Sequence, residues 1–452
     1  MRHFKKNTVI STVKDKYNTS ILTRGSFWSI AGYGGEFLIR IVSSMVFTRL
    51  FLPDVFGLMA IINSLIIGME MVSETGLRAS IITNKNGRKK YFLETAWSIQ
   101  IIRGLILWVI IALLSYPLSL HFNEFDLVYL LPIAGLSLII RGFSSVSIHL
   151  YSREMGVSRL VLCKLGTHFL SLLIVLTIAF FYKSIWLLVM LGILNALIST
   201  IFSHFFFERS VTRFRFDKGA LLDIIKYGKW LFFASIFHFL VGQGDKLIIG
   251  SFVTKSELGL YRLASIFSQI PMSLLGALVG AILMPYLSNS FRQKQQLCDI
   301  EFNQILKKIL LYMLPFAAAL ALLGNSLIQL FYPVVYHEAG LMLTILATGA
   351  IFQVIAGAFI PIFMASGDSF RHMLTYLLLL ILFLPLVFLG QLYWGVWGAI
   401  FGVVLSHLLW LPMVLVLAKK YVSVDVKYLA FRLMLFLVLI MGSNFAIYKF
   451  FS

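Results

Sequence analysis

Three arginines stand in long apolar stretches of this sequence, where a charged side chain needs a polar cavity or a partner. They are Arg40, Arg103 and Arg141, and a charge at that depth in a bilayer is costly and usually functional. Glu36 lies four residues before Arg40 on the same helix face, in the favourable acid-first order, which also fits a purely structural ion pair. Arginine pairs with phosphate and carboxylate through its planar fork of donors. Facing one lumen, these arginines would form a cationic cavity for a pyrophosphate-linked lipid, a nucleotide or an organic acid.

Five further charged residues lie inside or at the edges of apolar stretches. We predict that they support the cavity or couple it to an ion gradient, and they are Glu70, Glu74, Asp245, Lys246 and Arg262. Glu70 and Glu74 form a stripe with Arg78 along one helix face, where Glu74 and Arg78 also fit a structural pair. Lys246 and Arg262 have a second interpretation, because their long stems could carry the charge to the membrane surface.

The composition indicates that these stretches face lipid. The chain has 452 residues, of which 60% are hydrophobic and 13% charged, with a mean hydropathy of +0.91. A soluble domain is only about 45–50% apolar, and a helix needs about 20 apolar residues to cross a bilayer. The sequence therefore predicts an all-α polytopic membrane protein. The predicted spans are 25–48, 55–78, 91–115, 127–150, 161–181, 185–207, 228–250, 259–287, 304–330, 339–366, 372–391, 395–418 and 429–450.

Lysine and arginine gather in alternate connections between these spans, which is the pattern that keeps a loop in the cytoplasm. The N-terminal stretch and the second and sixth connections are basic, whereas the intervening connections carry few bases. This pattern predicts a multi-pass protein of the cell (cytoplasmic or inner) membrane with a cytoplasmic N-terminus. The net charge of +19 then reflects topology and contact with anionic membrane lipid. Because the bases are scattered over short loops, we expect no nucleic-acid binding.

The connections predicted to lie outside the cell are short, and the longest covers residues 115–126. A folded domain needs at least about 50 residues, so we expect no external catalytic domain and no enzyme activity. Cys163 and Cys298 are the two cysteines of the chain, too few for a disulfide framework or a cysteine metal cluster. We therefore expect no metal and no cofactor.

A weak internal repeat divides the chain into two halves. The segments 49–60 and 250–264 each carry a phenylalanine, an acid, Gly-Leu and then an alanine. Both lead from an outward span into an inward one, as in transporters built from two parallel halves. The predicted parts are a cytoplasmic basic N-terminus over 1–24, a first lobe over 25–207, a basic linker over 208–227, a second lobe over 228–418, and a loop with a thirteenth span over 419–452.

Several short motifs of this chain carry a resemblance to a known family. They are Thr23-Arg-Gly-Ser-Phe-Trp28, Phe47-Thr-Arg-Leu50, Pro53-Asp54, Phe56-Gly57, Thr75-Gly-Leu-Arg-Ala-Ser-Ile-Ile82, Asp245-Lys-Leu-Ile-Ile-Gly250, Leu258-Gly-Leu-Tyr261 and Ala264. Together they resemble the polysaccharide transporter family, the Wzx-like oligosaccharide flippases of the MOP superfamily, over about residues 23–290. Arg78 departs from the pattern, since a small residue is expected there.

The resemblance implies two six-helix lobes in a V, with an extra helix at the C-terminus, that rock to expose a central cavity to each side in turn. The implied cargo is an undecaprenyl-pyrophosphate-linked oligosaccharide, moved from the cytoplasmic to the outer leaflet for surface polysaccharide biosynthesis. Its pyrophosphate would meet Arg40, Arg103 and Arg141, with Glu36 tuning Arg40. The expected partners also include a coupling ion, H⁺ or Na⁺, and polysaccharide-assembly proteins.

Two other functions are considered. A multidrug or organic-cation exporter of the same superfamily would need acidic residues at depth, whereas the deep charges here are mainly basic. A membrane glycan polymerase or lipid-linked glycosyltransferase would need a substantial loop for catalysis, and the predicted exterior loops are short.

Overall fold

The computed structural model of the protein describes residues 31–73, 86–153, 157–207, 213–292 and 299–423. It also describes isolated positions at 28, 77, 80, 81, 84, 425, 428, 429 and 431–434. The predictions for residues 1–24, for Glu74, and for most of the last span over 429–450 fall outside these residues.

The described chain consists of helices and the turns between them, with no strand in these ranges. The α-helices are α1 (31–50), α2 (Pro53–Val72), α3 (Lys90–His121), α4 (Leu127–Gly142), α5 (Ser147–Arg153), α6 (Val157–Ala179), α7 (Ile185–Phe205), α8 (Lys218–Gly250), α9 (Lys255–Ser268), α10 (Ile270–Leu278), α11 (Met284–Arg292), α12 (Asp299–Phe331), α13 (Glu338–Gly357), α14 (Ile360–Ala365) and α15 (Ser369–Ala418). A π-helical turn over Val279–Leu283 joins α10 to α11, and a 3₁₀ turn over Val334–Tyr336 precedes α13.

Several of these helices are long and apolar enough to cross a membrane. In the described part of the chain, seven helical stretches of at least 18 residues meet both conditions. Because a bilayer core leaves no backbone group unpaired, a chain of this composition is expected to be helical throughout. The prediction of an all-α polytopic membrane protein is confirmed.

The fourth predicted span is interrupted in the structure. The sequence predicted one helix over 127–150, but α4 ends at Gly142 and the chain turns before α5. The Gln100 side chain of α3 donates to the Gly142 and Ser144 carbonyls at 2.9 and 3.0 Å, and the Ser145 amide donates to the Ser203 hydroxyl at 2.8 Å. These side chains satisfy the backbone groups that a helix break leaves unpaired.

The eleventh and twelfth predicted spans form one hairpin within α15. At its centre Trp394 and Gly395 leave the helical conformation, and Gly395 has φ 61° and ψ −148°. The two halves then pack so closely that a Cβ on Gly390 would lie 2.1 Å from the Gly398 carbonyl oxygen. A sharp reversal at this point matches the turn predicted between 391 and 395.

Glycines and prolines within the apolar stretches have different structural roles. Pro271 stands in the first turn of α10 and Pro361 in that of α14, and in both places one helix has just ended. Gly32 and Gly35, by contrast, lie inside the continuous helix α1. A Cβ on Gly32 would meet the Val161 side chain of α6 at 2.8 Å, so this part of α1 is shaped for close packing and does not bend.

The helices form two groups that meet along α2. Within the first group (α1–α7, the first lobe) α3 packs on α4, and α7 on α4 and α6; within the second (α8–α15, the second lobe) α13 packs on α9, α12 and α15. Contacts of α2 with α8 and α9 join the two lobes. We call the end of the bundle that carries the basic connections the basic end, and the opposite end the far end.

The linker between the lobes is attached to the first lobe. The Arg215 and Asp217 amides donate to Ser98 and Thr95 hydroxyls of α3 at 2.9 and 3.1 Å, and the Phe214 ring lies 5.2 Å from that of Trp97. Ala220 and Ile224, at the start of α8, are buried in the same cluster as Phe92 and Ile101 of α3. Helix α8 therefore begins on the first lobe and ends in the second.

Candidate functional site

A cavity of about 490 Å³ lies between the two lobes. Helices α1, α2, α6 and α7, together with the end of α4, line it from the first lobe, and α8 and α9 from the second. The lining side chains with polar or charged groups are Glu36, Arg40, Ser43, Ser44, Asn63, Arg141, His168, Ser171, Asn195, Gln243, Lys246, Arg262, Ser265 and Gln269. A cavity of this size is in the range of small-molecule sites. Its polar and charged lining residues distinguish it from the apolar surface that faces lipid.

On α1, both Arg40 and Glu36 line the cavity. The Arg40 guanidinium is 3.6 Å from the Glu36 carboxylate, and about half of the Arg40 side chain is exposed. Lys164 of α6 also contacts Glu36, at 2.6 Å. Lys164 lies within α6, so this contact ties α6 to α1.

Arg141 stands at the basic end of the cavity, in the last turn of α4. Its guanidinium donates to both carboxylate oxygens of Glu70 on α2, at 2.8 and 2.9 Å. The predicted supporting residue Glu70 thus contacts a predicted anion-binding residue.

Arg103 is not among the residues that line the cavity. It donates to the Ser73 hydroxyl at 2.9 Å and to the Glu70 carbonyl at 2.6 Å. Both acceptors belong to the end of α2, so Arg103 holds the helix terminus that carries Glu70. The structure therefore brings Arg40 and Arg141 to the cavity and places Arg103 behind it.

Asp245 and Lys246 form a buried pair near the far end of α8. The Lys246 ammonium contacts the Asp245 carboxylate at 3.2 Å and the Gly242 carbonyl at 3.1 Å, and the Tyr261 hydroxyl donates to Asp245 at 2.5 Å. Lys246 also lines the cavity, although it is only 5% exposed. Lys246 is therefore buried, whereas the second interpretation of the sequence had its charge reaching the membrane surface.

Arg262 faces the cavity from α9. It makes no hydrogen bond or ion pair with any residue in the described part of the chain, and Arg40, another cation, repels it electrostatically. One turn further along α9, the buried residue Ser265 also lines the cavity. A partly buried cation without a counter-charge is unfavourable, so an anion beside Arg262 would relieve this cost.

Neutral polar residues complete the lining of the cavity. The Asn195 amide lies 3.3 Å from the His168 ring nitrogen and 3.4 Å from the Ser171 hydroxyl. Gln243 accepts from Ser64 at 3.0 Å and links α8 to α2. Their position at midsegment was visible in the sequence, but only the packing shows that they share a cavity.

The cavity as a whole is cationic. Its charged lining in the described chain consists of four basic side chains and one carboxylate, which are Arg40, Arg141, Lys246, Arg262 and Glu36. With a rise of 1.5 Å per residue, Arg262 lies about 10 Å below the start of α9, and Arg40 about 15 Å below the end of α1. The bases therefore occupy different depths, and an elongated anion could contact several of them.

Metal coordination is not supported by the described residues. They contain no group of three or more histidine, cysteine or acidic side chains arranged to hold an ion.

Comparison with known proteins gives a family match. The model of the family described as "Polysaccharide biosynthesis protein" matches residues 46–341. The chain is 20% identical to the succinoglycan biosynthesis transport protein ExoT of Rhizobium meliloti (strain 1021), over 62% of this chain and 56% of that protein. It is also 20% identical to the teichuronic acid biosynthesis protein TuaB of Bacillus subtilis (strain 168), over 66% of this chain and 62% of that protein. The chain thus aligns with somewhat more than half the length of each of these relatives.

Two solved structures share the fold. An inward-facing multidrug resistance MATE family transporter of the MOP superfamily superimposes with a TM-score of 0.64 at 14% identity, covering 89% of this chain and 94% of that one. The lipid II flippase MurJ, in an inward closed conformation, superimposes with a TM-score of 0.62 at 12% identity, covering 95% and 98%. The chain therefore shares the overall helical fold of these two structures.

Proposed function

We propose that the chain, which belongs to the polysaccharide biosynthesis protein family, is a flippase for a lipid-linked oligosaccharide. The cargo would be an undecaprenyl-pyrophosphate-linked glycan, moved from the cytoplasmic to the outer leaflet for surface polysaccharide biosynthesis. Movement would follow alternating access between the two lobes.

The observation that carries this proposal is the cationic cavity between the lobes, with Arg262 lacking a counter-charge in the described chain. A pyrophosphate supplies several acceptor oxygens and negative charge, which guanidinium groups bind well. Arg262 and Arg40 would hold the pyrophosphate from opposite lobes. Arg141 would meet the anion near the basic end, where it now contacts Glu70. The neutral side chains of Asn195 and its neighbours would face the first sugars.

Two carboxylates, Glu36 and Glu70, neutralise part of the positive charge of the cavity when no ligand is bound. Glu36 contacts Arg40, and Glu70 contacts Arg141, so an arriving anion would compete with a carboxylate at those two positions. At Arg262 no carboxylate has to be displaced. Arg262 would therefore be the first anchor, and the arginines with acid partners would join as the anion moves.

The test follows the leaflet that the cargo occupies. In cells that accumulate the lipid-linked glycan, a membrane-impermeant glycosidase applied from outside measures the fraction that has reached the outer leaflet. Losing a hydrogen bond to a charged group costs about 1.5–3 kcal/mol, so we expect Arg262→Gln and Arg40→Gln to slow translocation roughly 10- to 100-fold. Arg49→Gln is the matched control, because Arg49 lies nine residues after Arg40 on the opposite face of α1 and is exposed. Full translocation in both cavity variants would disprove the cationic-cavity mechanism.

The same variants separate this function from that of an organic-cation exporter. A cation carrier should bind cationic dyes and should tolerate the removal of arginines, which would relieve repulsion. We expect purified protein to bind undecaprenyl pyrophosphate and not the dyes. Dye binding that strengthens in Arg262→Gln would instead favour the exporter.

A further inference from the structure

The first turns of α2 and α9 interlock at the far end of the cavity, across the boundary between the lobes. A Cβ on Gly57 would lie 1.9 Å from the carbonyl oxygen of Lys255. In return, a Cβ on Gly259 would lie 2.0 Å from the carbonyl oxygen of Pro53. No side chain larger than hydrogen fits at either position while the helices stay together.

This contact is symmetric, although it lies within one chain. Pro53 and Lys255 are the first residues of α2 and α9, and Gly57 and Gly259 are the fifth residues of the same helices. Each glycine thus meets the first carbonyl of the other helix, as in an isologous contact between identical subunits. The two glycines are the ones that the internal repeat of the sequence brings into register, each followed by a leucine.

The geometry makes the closeness of the two helices depend on glycine. Small residues let helix backbones approach in membranes, and a glycine Cα–H directed at a carbonyl oxygen forms a weak hydrogen bond. The atoms that an added Cβ would strike are backbone oxygens, which cannot move away by a change of rotamer. An alanine at Gly57 or Gly259 therefore has to push α2 and α9 apart.

Polar contacts around the interlock also join the two lobes. Lys255 forms an ion pair with Glu124, in the turn between α3 and α4. The His121 ring lies 3.0 Å from the Ser251 hydroxyl. Around the same end of the bundle, the Tyr336 hydroxyl donates to the Phe51 carbonyl at 2.7 Å.

We propose that the interlocked turns of α2 and α9 are the far-end gate of the transporter, shown here closed. The gate opens when the two turns separate. Water then replaces the glycine contacts and the polar contacts around them. Its two halves are equivalent parts of the internal repeat, so one symmetric movement of the lobes releases both glycines together. This inference rests on the alternating-access part of the proposed function and not on the identity of the cargo.

The gate is tested by cavity accessibility, which needs no cargo. In a protein with Cys163→Ser and Cys298→Ser, the cavity residue Gln269 is changed to Cys and labelled with a membrane-impermeant maleimide from each side of oriented vesicles. We expect Gly57→Ala and Gly259→Ala to raise the ratio of far-side to basic-side labelling, roughly tenfold, because the added methyl group disfavours only the closed far end.

Two glycine controls separate gating from general damage. Gly276 in α10 has open space around it, so Gly276→Ala should change neither stability nor the labelling ratio. A Cβ on Gly398 would lie 2.0 Å from the Gly390 carbonyl oxygen within the α15 hairpin. Gly398→Ala should therefore lower thermal stability without shifting the ratio, because that contact is the same in both states of the gate.

Two further variants keep the test decisive if the glycine variants fail to fold. Lys255→Gln removes the ion pair with Glu124, and Tyr336→Phe removes the hydrogen bond to the Phe51 carbonyl. Both should shift labelling toward the far side. An unchanged ratio in all folded gate variants, with the wild type labelled from both sides, would overturn the gate but leave the proposed function standing. A wild type and variants that are never labelled from the far side would overturn alternating access itself.

Discussion

The basic side chains of the cavity differ in what already neutralises them. Arg40 contacts Glu36, and Arg141 contacts Glu70, each pair lying within the first lobe. Arg262 has no such partner in the described chain. An anion therefore gains more from Arg262, where nothing has to be displaced, than from an arginine whose carboxylate must first be released.

Arg103 should behave differently from the arginines of the cavity. Since it donates to the Glu70 carbonyl and the Ser73 hydroxyl, Arg103→Gln should destabilise the protein by about 1.5–3 kcal/mol. Affinity for undecaprenyl pyrophosphate should hardly change. Arg262→Gln should show the opposite pattern, with affinity lost and stability kept. Thermal unfolding and lipid binding of the two variants, measured in the same detergent, distinguish these effects. A stable Arg103→Gln protein with weakened binding would restore the direct contact predicted from the sequence.

Asp368, which precedes α15 outside the predicted spans, gives a pH-dependent prediction. The Tyr421 hydroxyl donates to its carboxylate at 2.5 Å and the Arg371 amide at 3.0 Å, and these contacts lower the pKa of Asp368 to about 2. A lowered pKa stabilises the fold above the ordinary carboxyl pKa, and this stabilisation is lost as the pH falls through the folded value. Asp368→Asn should therefore be less stable than the wild type at pH 7, with a difference that shrinks below about pH 4.

Melting temperatures across this range test the prediction, and Asp126→Asn is the control because Asp126 makes no side-chain cap. A difference that stays constant with pH would contradict it.

At the scale of helices, the hairpin in α15 depends on one backbone conformation. Gly395 has φ 61° and ψ −148°, a region that is essentially limited to glycine. Gly395→Ala should cost about 1–3 kcal/mol and weaken the reversal, since an unbroken α15 would separate Gly390 from Gly398. Thermal unfolding measures the cost, with Gly276→Ala as the unstrained control. Equal stability of the two variants would show that the reversal does not need a glycine.

Hydropathy and charge predicted the helices well because both report the solvent around a segment. The linker that binds Thr95 and Ser98, and the break after Gly142, were not predicted, because they arise from individual side chains that pair with distant backbone groups. The same limit applies to the site. Arg40 and Arg262 were both identified as charges in or beside predicted spans, but only packing shows that they line one cavity from opposite lobes.

At the scale of the whole molecule, the cavity and the proposed gate lie at different levels of the boundary between the two lobes. The proposed gate, where α2 meets α9, lies at the far end, while the cavity extends to Arg141 near the basic end. Arg40 and Arg262 stand on opposite lobes and repel each other when no anion is bound. We expect an anion bound between them to replace this repulsion with attraction and to draw the lobes together.

Binding of the anion should therefore narrow the basic end. Spin labels on Lys90→Cys in the first lobe and Lys419→Cys in the second, both exposed at that end, report the separation of the lobes. Undecaprenyl pyrophosphate should shift the distance distribution toward shorter values, because only the closed arrangement lets both guanidiniums contact one ligand. The Arg262→Gln protein should still bind the lipid through Arg40, although more weakly than the wild type, and its lobes should not move closer together. The lobes of the Arg49→Gln protein should move together as in the wild type. If the wild type binds the lipid and the distances stay the same, the anion does not bridge the lobes, and closure must depend on another part of the cargo.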